Sequence, residues 1–222
     1  MENKIQTLEI DDWVVRVRTP QDSSPHPVVL MLHGWTGDEE SMWIFASRLP
    51  ENEILIAPRG LYTSSLGGYS WQSQRVDGWP KVKDFEPAIE KLLDLLNPSN
   101  FPAGDFSNFR IVGFSQGAAL TYAFALLQPE KVRVFAGLSG FLPQEADSLV
   151  EKQPLRGMKA FIAHGTQDEM VAVERARKAV ERLQDAGAQI TYCEDDVGHK
   201  LSLTCFKGLE TFFAQKTRGT AG

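Results

Sequence analysis

A five-residue segment near the middle of the chain, Gly113-Phe114-Ser115-Gln116-Gly117, joins an apolar strand-like run to a helix-like run. A serine at such a sharp strand-to-helix turn has strained backbone dihedrals, and its hydroxyl is held out at the end of the sheet. The flanking glycines keep Cβ atoms out of the space where strand and helix nearly touch. At the helix N-terminus, the amide of Gln116 can donate to a developing oxyanion. The segment therefore predicts an α/β chain with a nucleophilic serine, and the alternative is a purely structural tight turn.

Hydrophobic periodicity divides the rest of the chain into strands that alternate with helices. Alternating apolar residues predict an antiparallel hairpin over 5–10 and 13–18, turned at Asp11-Asp12. Continuous apolar runs are typical of strands buried on both faces, and helical spacing predicts amphipathic helices. The predicted strands are 28–32, 54–57, 110–114, 132–138, 159–163 and 189–194, and the predicted helices are 39–49, 85–96, 117–127, 173–187 and 203–213. This order predicts a mostly parallel central sheet with helices on both faces and an antiparallel N-terminal hairpin.

Length and composition restrict the class of protein. The 222 residues suit one α/β domain, so a single domain over 1–222 is predicted, with a disordered tail in the last few residues. A net charge of −6 argues against nucleic acid as a partner, because phosphate contacts need a clustered basic surface. No signal-peptide core and no run that could span a bilayer occur, so a cytoplasmic protein without stable membrane insertion is expected. Cys193 and Cys205 are expected to be free thiols.

A serine nucleophile needs a base, and the chain contains four histidines. His199 lies in the predicted loop between the last strand and the last helix, where its ring can reach across the end of the sheet. His33 and His164 each follow a predicted strand, and we expect them to hold loops together through hydrogen bonds. His26 is expected in a surface loop. These positions favour His199 as the general base.

An orienting carboxylate is expected from Asp168, which lies in a predicted turn after a strand. Asp168 could instead cap the following helix. Asp195 and Asp196 are nearer to the base in sequence, but they follow the last strand directly and are expected to solvate the loop. The chain order of serine, aspartate and histidine is that of the α/β-hydrolase triad. A second oxyanion donor is expected from the loop Leu32-His33-Gly34-Trp35-Thr36-Gly37.

With these motifs in place, the chain resembles the phospholipase/carboxylesterase family of α/β-hydrolases, which includes the acyl-protein thioesterases. The resemblance spans about residues 28–213 and depends on four matching pieces. By this resemblance Ser115 is the nucleophile, His199 the base and Asp168 its orienting group, with backbone amides of Gln116 and Trp35 as the oxyanion hole. The oxyanion loop has one residue more than is usual in the family, which leaves Thr36 as the alternative second donor. The matching pieces are Leu32-His33-Gly34, Gly113-Phe114-Ser115-Gln116-Gly117, His164-Gly165 with Asp168 and Val171, and Gly198-His199.

The resemblance implies hydrolysis of small to medium carboxylic esters through an acyl-enzyme, with an acyl-protein thioesterase or lysophospholipase as the alternative. A peptidase or a non-catalytic binding module on the same fold is less favoured. No cofactor and no metal are implied, and no zinc-like spacing of cysteine and histidine occurs. The choice between monomer and homodimer stays open.

Aromatic residues follow the oxyanion loop and fill a long predicted loop over 59–80. Trp35, Trp71 and Tyr69 lie in Gly-flanked segments expected at the active-site end of the sheet. No insertion is long enough for a mobile lid. These residues predict a short, open, aromatic-walled pocket that prefers acyl chains of about eight carbons or fewer.

Overall fold

A computed structural model describes residues 3–22, 25–73 and 78–215. Its centre is an eight-stranded sheet. The strands are β1 Lys4–Ile10, β2 Trp13–Thr19, β3 His26–Leu32, β4 Ile54–Pro58, β7 Gly104–Phe114, β8 Val132–Leu138, β9 Lys159–Gly165 and β10 Gln189–Asp195. Their order across the sheet is β1-β2-β4-β3-β7-β8-β9-β10. A separate two-stranded ribbon pairs β5 Tyr62–Thr63 with β6 Tyr69–Ser70. Strands β1 and β2 pair antiparallel to each other, as β2 does to β4, and all further pairs in the large sheet are parallel.

Helices cover both faces of this sheet, as the periodicity predicts. The α-helices are α1 Glu86–Leu95, α2 Gln116–Leu127, α3 Asp147–Val150, α4 Val173–Asp185 and α5 Leu203–Ala214. Apolar residues of α1, α2 and α4 pack in one buried cluster, and those of α5 pack in a second. Alternate residues of β3 belong to opposite clusters, with Leu30 in the first and Met31 in the second. Because both faces are covered, the parallel strands are continuous apolar runs.

Several parts of the secondary structure differ from the sequence prediction. The helix predicted over 39–49 is a 3-10 helix over Ser41–Arg48, in which Met42 and Phe45 point together into the core. Residues three apart share a face in a 3-10 helix, so the same apolar spacing suits both forms. Strand β7 begins six residues before the predicted strand at 110, the β5–β6 ribbon lies within the predicted loop 59–80, and α3 was not predicted.

Two predictions about single residues are wrong. Cys193 and Cys205 are joined by a disulfide rather than being free thiols, because β10 and α5 pack side by side and bring their Cα atoms to 5.7 Å. His26 is buried rather than exposed in a loop, because it opens β3 and its ring contacts the Asn52 carbonyl at 3.1 Å and the Asp22 carboxylate at 2.8 Å. The predicted disordered tail lies in residues outside the described range. No helix within that range is long and apolar enough to cross a membrane.

Candidate active site

Ser115 lies at the tight connection between β7 and α2, at the carboxyl end of the parallel strands. Its backbone has a positive φ of 54° with ψ −114°, outside the regions that residues with a side chain ordinarily adopt, and is therefore strained. The N–H of Ser115 donates to the Leu138 carbonyl of β8 at 2.8 Å, and its own carbonyl accepts from Ala118 and Ala119 of α2. The turn is therefore held by hydrogen bonds from both sides. The side chain is half-buried at the end of the sheet.

The two glycines of the segment are required by close backbone contacts. A Cβ on Gly113 would lie 2.1 Å from the Gly117 carbonyl oxygen, and one on Gly117 would lie 2.0 Å from the Leu32 carbonyl oxygen. Neither distance is possible between non-bonded atoms. The prediction that these glycines let strand and helix approach each other is confirmed.

His199 and Asp168 meet at the same end of the sheet. Nδ1 of His199 lies 2.7 Å from Oδ2 of Asp168, although the residues are 31 positions apart. The Asp168 side chain is fully buried and that of His199 is 15% exposed. A Cβ on Gly165 would lie 2.1 Å from the Val197 carbonyl oxygen, so a glycine at the end of β9 lets the loop that carries His199 pack closely. This pair has the geometry of a base and its orienting carboxylate.

The other candidate carboxylates point elsewhere. Oδ1 of Asp195 accepts from the N–H of Asp196 at 2.9 Å, and hydrogen bonds from Ser202 and Thr204 hold the pKa of Asp195 below its usual range. Oδ1 of Asp196 accepts from the Thr166 hydroxyl at 3.3 Å. Asp195 and Asp196 therefore stabilise the loop, and the carboxylate that contacts the candidate base is the one predicted at 168.

The loop after β3 reaches the serine through Gly34, where an added Cβ would lie 3.2 Å from Cβ of Ser115. The fully buried ring of His33 determines how this loop is oriented. Nε2 of His33 accepts from the N–H of Gly60 at 2.8 Å, so the ring proton is on Nδ1, which donates to the Gly34 carbonyl at 2.7 Å. Burial lowers the pKa of His33, which keeps the ring neutral in this tautomer.

The peptide groups of the two candidate oxyanion donors in this loop are oriented by different contacts. The N–H of Thr36 donates to the Tyr69 carbonyl at 2.9 Å, and Thr36 has φ 69°. The Gly34 carbonyl also accepts from Gly37 at 3.0 Å. In a trans peptide the C=O and N–H point in opposite directions. With the Gly34 carbonyl directed at His33, the N–H of Trp35 therefore points away from that ring.

An apolar cleft of about 560 Å³ opens beside His199 and the oxyanion loop. Its aromatic wall is formed by Phe45, Phe114 and Phe206, with ring centroids 5.3 Å apart for Phe45 and Phe206. The Phe114 ring also contacts the His199 ring, at 5.0 Å between centroids. The remaining lining residues come from the oxyanion loop, the 3-10 helix and the segment after His199, namely Gly34, Trp35, Thr36, Gly37, Ser41, Met42, Ile44, Lys200 and Leu201. The volume of this cleft and its apolar lining residues are typical of sites that bind small molecules.

Comparison with known proteins assigns the family. The sequence profile of the family described as Phospholipase/Carboxylesterase matches residues 15–216. The chain belongs to the phospholipase/carboxylesterase family. Carboxylesterase SOBER1 from Arabidopsis thaliana is 33% identical over 117 residues, which cover 51% of this chain and 51% of that protein. Acyl-protein thioesterase 1 from Kluyveromyces lactis is 34% identical over 177 residues, which cover 66% of this chain and 72% of that protein.

Solved structures of carboxylesterases share the α/β-hydrolase fold with this chain. A carboxylesterase from Bacillus cereus superposes with a TM-score of 0.79 at 20% identity, covering 91% of this chain and 94% of that chain. A carboxylesterase from Mesorhizobium loti superposes with a TM-score of 0.78 at 22% identity, covering 95% of this chain and 99% of that chain. The matched segment spans about half the length of the SOBER1 and SOBER1-like relatives. The predicted family and fold are confirmed.

Two of the three residues predicted to line the substrate pocket lie outside the cleft. Trp35 lines the cleft. Trp71 is fully buried, its indole N–H donates to the His33 carbonyl at 2.8 Å, and its ring packs on the His33 ring. Trp71 therefore supports the oxyanion loop from behind and is not a wall. Tyr69 does not line the cleft; its ring lies under the Arg59 guanidinium at 4.6 Å.

Several residues that support or line the candidate site were not predicted from the sequence. The Gln116 side chain accepts from the Trp71 N–H at 3.1 Å and donates to the Ser70 hydroxyl at 3.1 Å, which ties the long loop to the helix beside the serine. Phe45 and Phe206 form the cleft wall but were assigned only to helices. Their helical spacing indicated a buried face, and nothing in that pattern distinguishes a core contact from a cleft.

Proposed function

We propose that this protein is a serine carboxylesterase in which Ser115 is the nucleophile, His199 the general base and Asp168 its orienting carboxylate. The observation that supports this most directly is the contact of 2.7 Å between His199 Nδ1 and Asp168 Oδ2 at the sheet end where Ser115 has its strained backbone. Family membership supports the same reaction class. Each residue follows a different parallel strand, and such loops form active sites in open α/β sheets.

The geometry supports acyl transfer in two halves. Asp168 accepts the Nδ1 proton of His199, so Nε2 of His199 has the lone pair that takes the proton of the Ser115 hydroxyl. Oγ of Ser115 attacks the acyl carbon, and the alcohol leaves with the proton from Nε2. A water molecule then gives its proton to Nε2 and attacks the acyl-enzyme. The acid is released when Nε2 returns that proton to Oγ.

We infer that the oxyanion is bound by the backbone N–H groups of Gln116 and Trp35. Gln116 is the first residue of α2, and the first N–H groups of a helix have no acceptor within the helix. Trp35 is favoured over Thr36 because the Thr36 N–H donates to Tyr69 and the Gly34–Trp35 peptide is oriented by His33. Removing one such donor costs about 10²–10³ in kcat in other enzymes.

The apolar cleft supports an acyl ester of small to medium chain length as the substrate. An acyl chain in contact with Phe45, Phe114 and Phe206 would gain ~0.8 kcal/mol for each buried CH₂. No step of this reaction needs a cofactor. An acyl-protein thioesterase or lysophospholipase remains the alternative, because acyl-protein thioesterases are among the relatives. Thioester and ester substrates would use the same residues.

Labelling and mutagenesis test the nucleophile. A fluorophosphonate probe should modify the protein once, and Ser115→Ala should remove both labelling and hydrolysis of p-nitrophenyl esters. Ser139→Ala is the matched control, because Ser139 is also a serine with positive φ at the end of a neighbouring strand. Labelling that persists in Ser115→Ala and disappears in Ser139→Ala would reject the assignment.

A chain-length series tests the substrate class. For p-nitrophenyl esters, kcat/KM should rise about four-fold per CH₂ while the chain is buried and level off near eight carbons. Phe206→Ala should move this limit to longer chains, because the ring lines the cleft. Leu203→Ala is the control on the same helix, since Leu203 is 78% exposed. A steady rise through palmitate, or faster turnover of acyl-CoA thioesters, would favour the alternative. The cytoplasmic location stays a prediction, which cell fractionation tests.

A further inference from the structure

A second histidine, His164, lies directly behind the carboxylate of Asp168. Its side chain is fully buried at the end of β9. Nε2 of His164 lies 2.7 Å from the Val171 carbonyl oxygen and 3.3 Å from Oδ2 of Asp168. A carbonyl oxygen accepts only, so the ring proton is on Nε2 and Nδ1 is unprotonated. Within the part of the chain that the structure describes, Nδ1 has no hydrogen-bond partner.

Hydrogen bonds hold the Asp168 loop on two sides. Oδ1 of Asp168 accepts from the N–H groups of Met170 and Val171, each at 2.9 Å. Oδ2 accepts from His199 and faces the Nε2–H of His164. The backbone of Val171 thus donates through its N–H to Asp168 and accepts through its carbonyl oxygen from His164. This arrangement restricts rotation of the carboxylate about its side-chain bonds.

The charge state of His164 is compatible with this arrangement. Burial lowers the pKa of His164, so the ring is neutral near pH 7. The titratable groups that face it are Asp168, His199 and, on the adjacent strand β10, Glu194. Glu194 is paired with Arg177 at 2.7 Å. A neutral donor leaves the negative charge of Asp168 available to stabilise a protonated His199.

We propose that His164 is a positioning residue for the hydrolytic reaction, which holds Asp168 so that Oδ2 stays directed at Nδ1 of His199. The proposal rests on the proposed function, because it requires that His199 and Asp168 work together as base and orienting group. His164 does not contact the reacting atoms. Its effect should therefore appear in kcat and in the pH dependence of the reaction, and not in substrate binding.

Two substitutions of His164 by an amide residue distinguish a positioning role from a role in packing alone. In His164→Gln the side-chain amide can place its donor near the position of Nε2. In His164→Asn the amide reaches only the position of Nδ1, which has no hydrogen-bond partner among the described residues. We expect His164→Asn to lower kcat by about 10²-fold, the cost of a misplacement of about 1 Å. KM should not change. The pH profile of kcat/KM should also change, because the contact between Asp168 and His199 is disturbed. His164→Gln should restore most of kcat and the parent pH profile.

Other outcomes would overturn the proposal. One is a His164→Asn protein with a lower Tm but with the kcat and the pH profile of the parent protein. If His164→Asn does not fold, His164→Phe, which keeps a ring of similar size, takes its place in the same assays. Failure of both to fold while His164→Gln folds would assign His164 to folding alone. Asp168→Asn is measured in parallel: full activity there would reject the triad itself, whereas an inactive Asp168→Asn beside a fully active His164→Asn rejects only the role of His164.

Discussion

The disulfide between Cys193 and Cys205 allows a quantitative prediction of stability. The bond joins β10 to the first turn of α5 across a sequence separation of 12 residues. In the chain-entropy account, a cross-link of this span removes loop-closure entropy from the unfolded chain worth about 3 kcal/mol at 25 °C. A domain of this size loses about 2–4 °C of Tm per kcal/mol, so reduction of the bond should lower Tm by about 6–12 °C.

Hydrolysis should depend far less on this bond, although the loop it closes contains His199. That loop has further restraints. The N–H of Thr166 donates to the Asp195 carbonyl at 2.9 Å, and the N–H of Gln167 donates to the Val197 carbonyl at 3.0 Å. His199 is itself held by Asp168. We therefore expect the reduced protein to keep the kcat/KM of the oxidised protein at 25 °C, well below its Tm.

Scanning calorimetry on the oxidised protein, on the reduced and alkylated protein, and on a Cys193→Ser/Cys205→Ala variant measures the effect. The variant should match the reduced protein and should not respond to reductant. Thiol titration under denaturing conditions decides whether the bond is present. No free thiols together with a Tm that reduction leaves unchanged would refute the loop-closure reasoning. A loss of kcat/KM on reduction at 25 °C would show that the bond, and not the backbone hydrogen bonds, holds the loop in its active form.

Three further predictions concern the site and its support. Asp168→Asn should lower kcat by orders of magnitude, given the ~10⁴-fold loss for this change in another triad, while Asp195→Asn should remain close to the parent in the same p-nitrophenyl ester assay. Gly117→Ala should prevent native folding, because the new Cβ would lie 2.0 Å from a backbone carbonyl oxygen of β3, and circular dichroism with a hydrolysis assay checks this. Burial lowers the pKa of His33 and His164, so below about pH 6.5 the unfolded chain binds more protons than the native protein. Unfolding free energy from urea titrations should therefore fall from pH 6.5 toward pH 5, by up to ~1.4 kcal/mol per pH unit for each histidine, and a flat profile would contradict the burial of neutral rings.

Much of the fold could be predicted because its strands and helices are encoded by local periodicity. The strands around 28–32 and 132–138 are buried on both faces, and continuous apolar runs indicate this without knowledge of their partners. Contacts between segments that are separated in sequence could not be predicted in the same way. The pairing of Cys193 with Cys205 depends on the packing of α5 against β10, and the burial of His26 depends on where β3 begins. Neither is a property of the residues nearby in sequence.

The side chains of the candidate site could be proposed from the sequence, because the chemistry of a serine nucleophile restricts its partners to a few residue types in a known chain order. A backbone donor carries no such restriction, since every residue except proline has an N–H group. The choice between Trp35 and Thr36 depends on the direction of two peptide planes, which the His33 ring and the Tyr69 carbonyl determine. Tyr69 and Gly60, whose N–H fixes the His33 ring, both lie in a distant part of the chain. If the proposed triad is correct, substitutions at His33 and His164, which hydrogen-bond the backbone of two loops beside it, would alter hydrolysis without changing the triad.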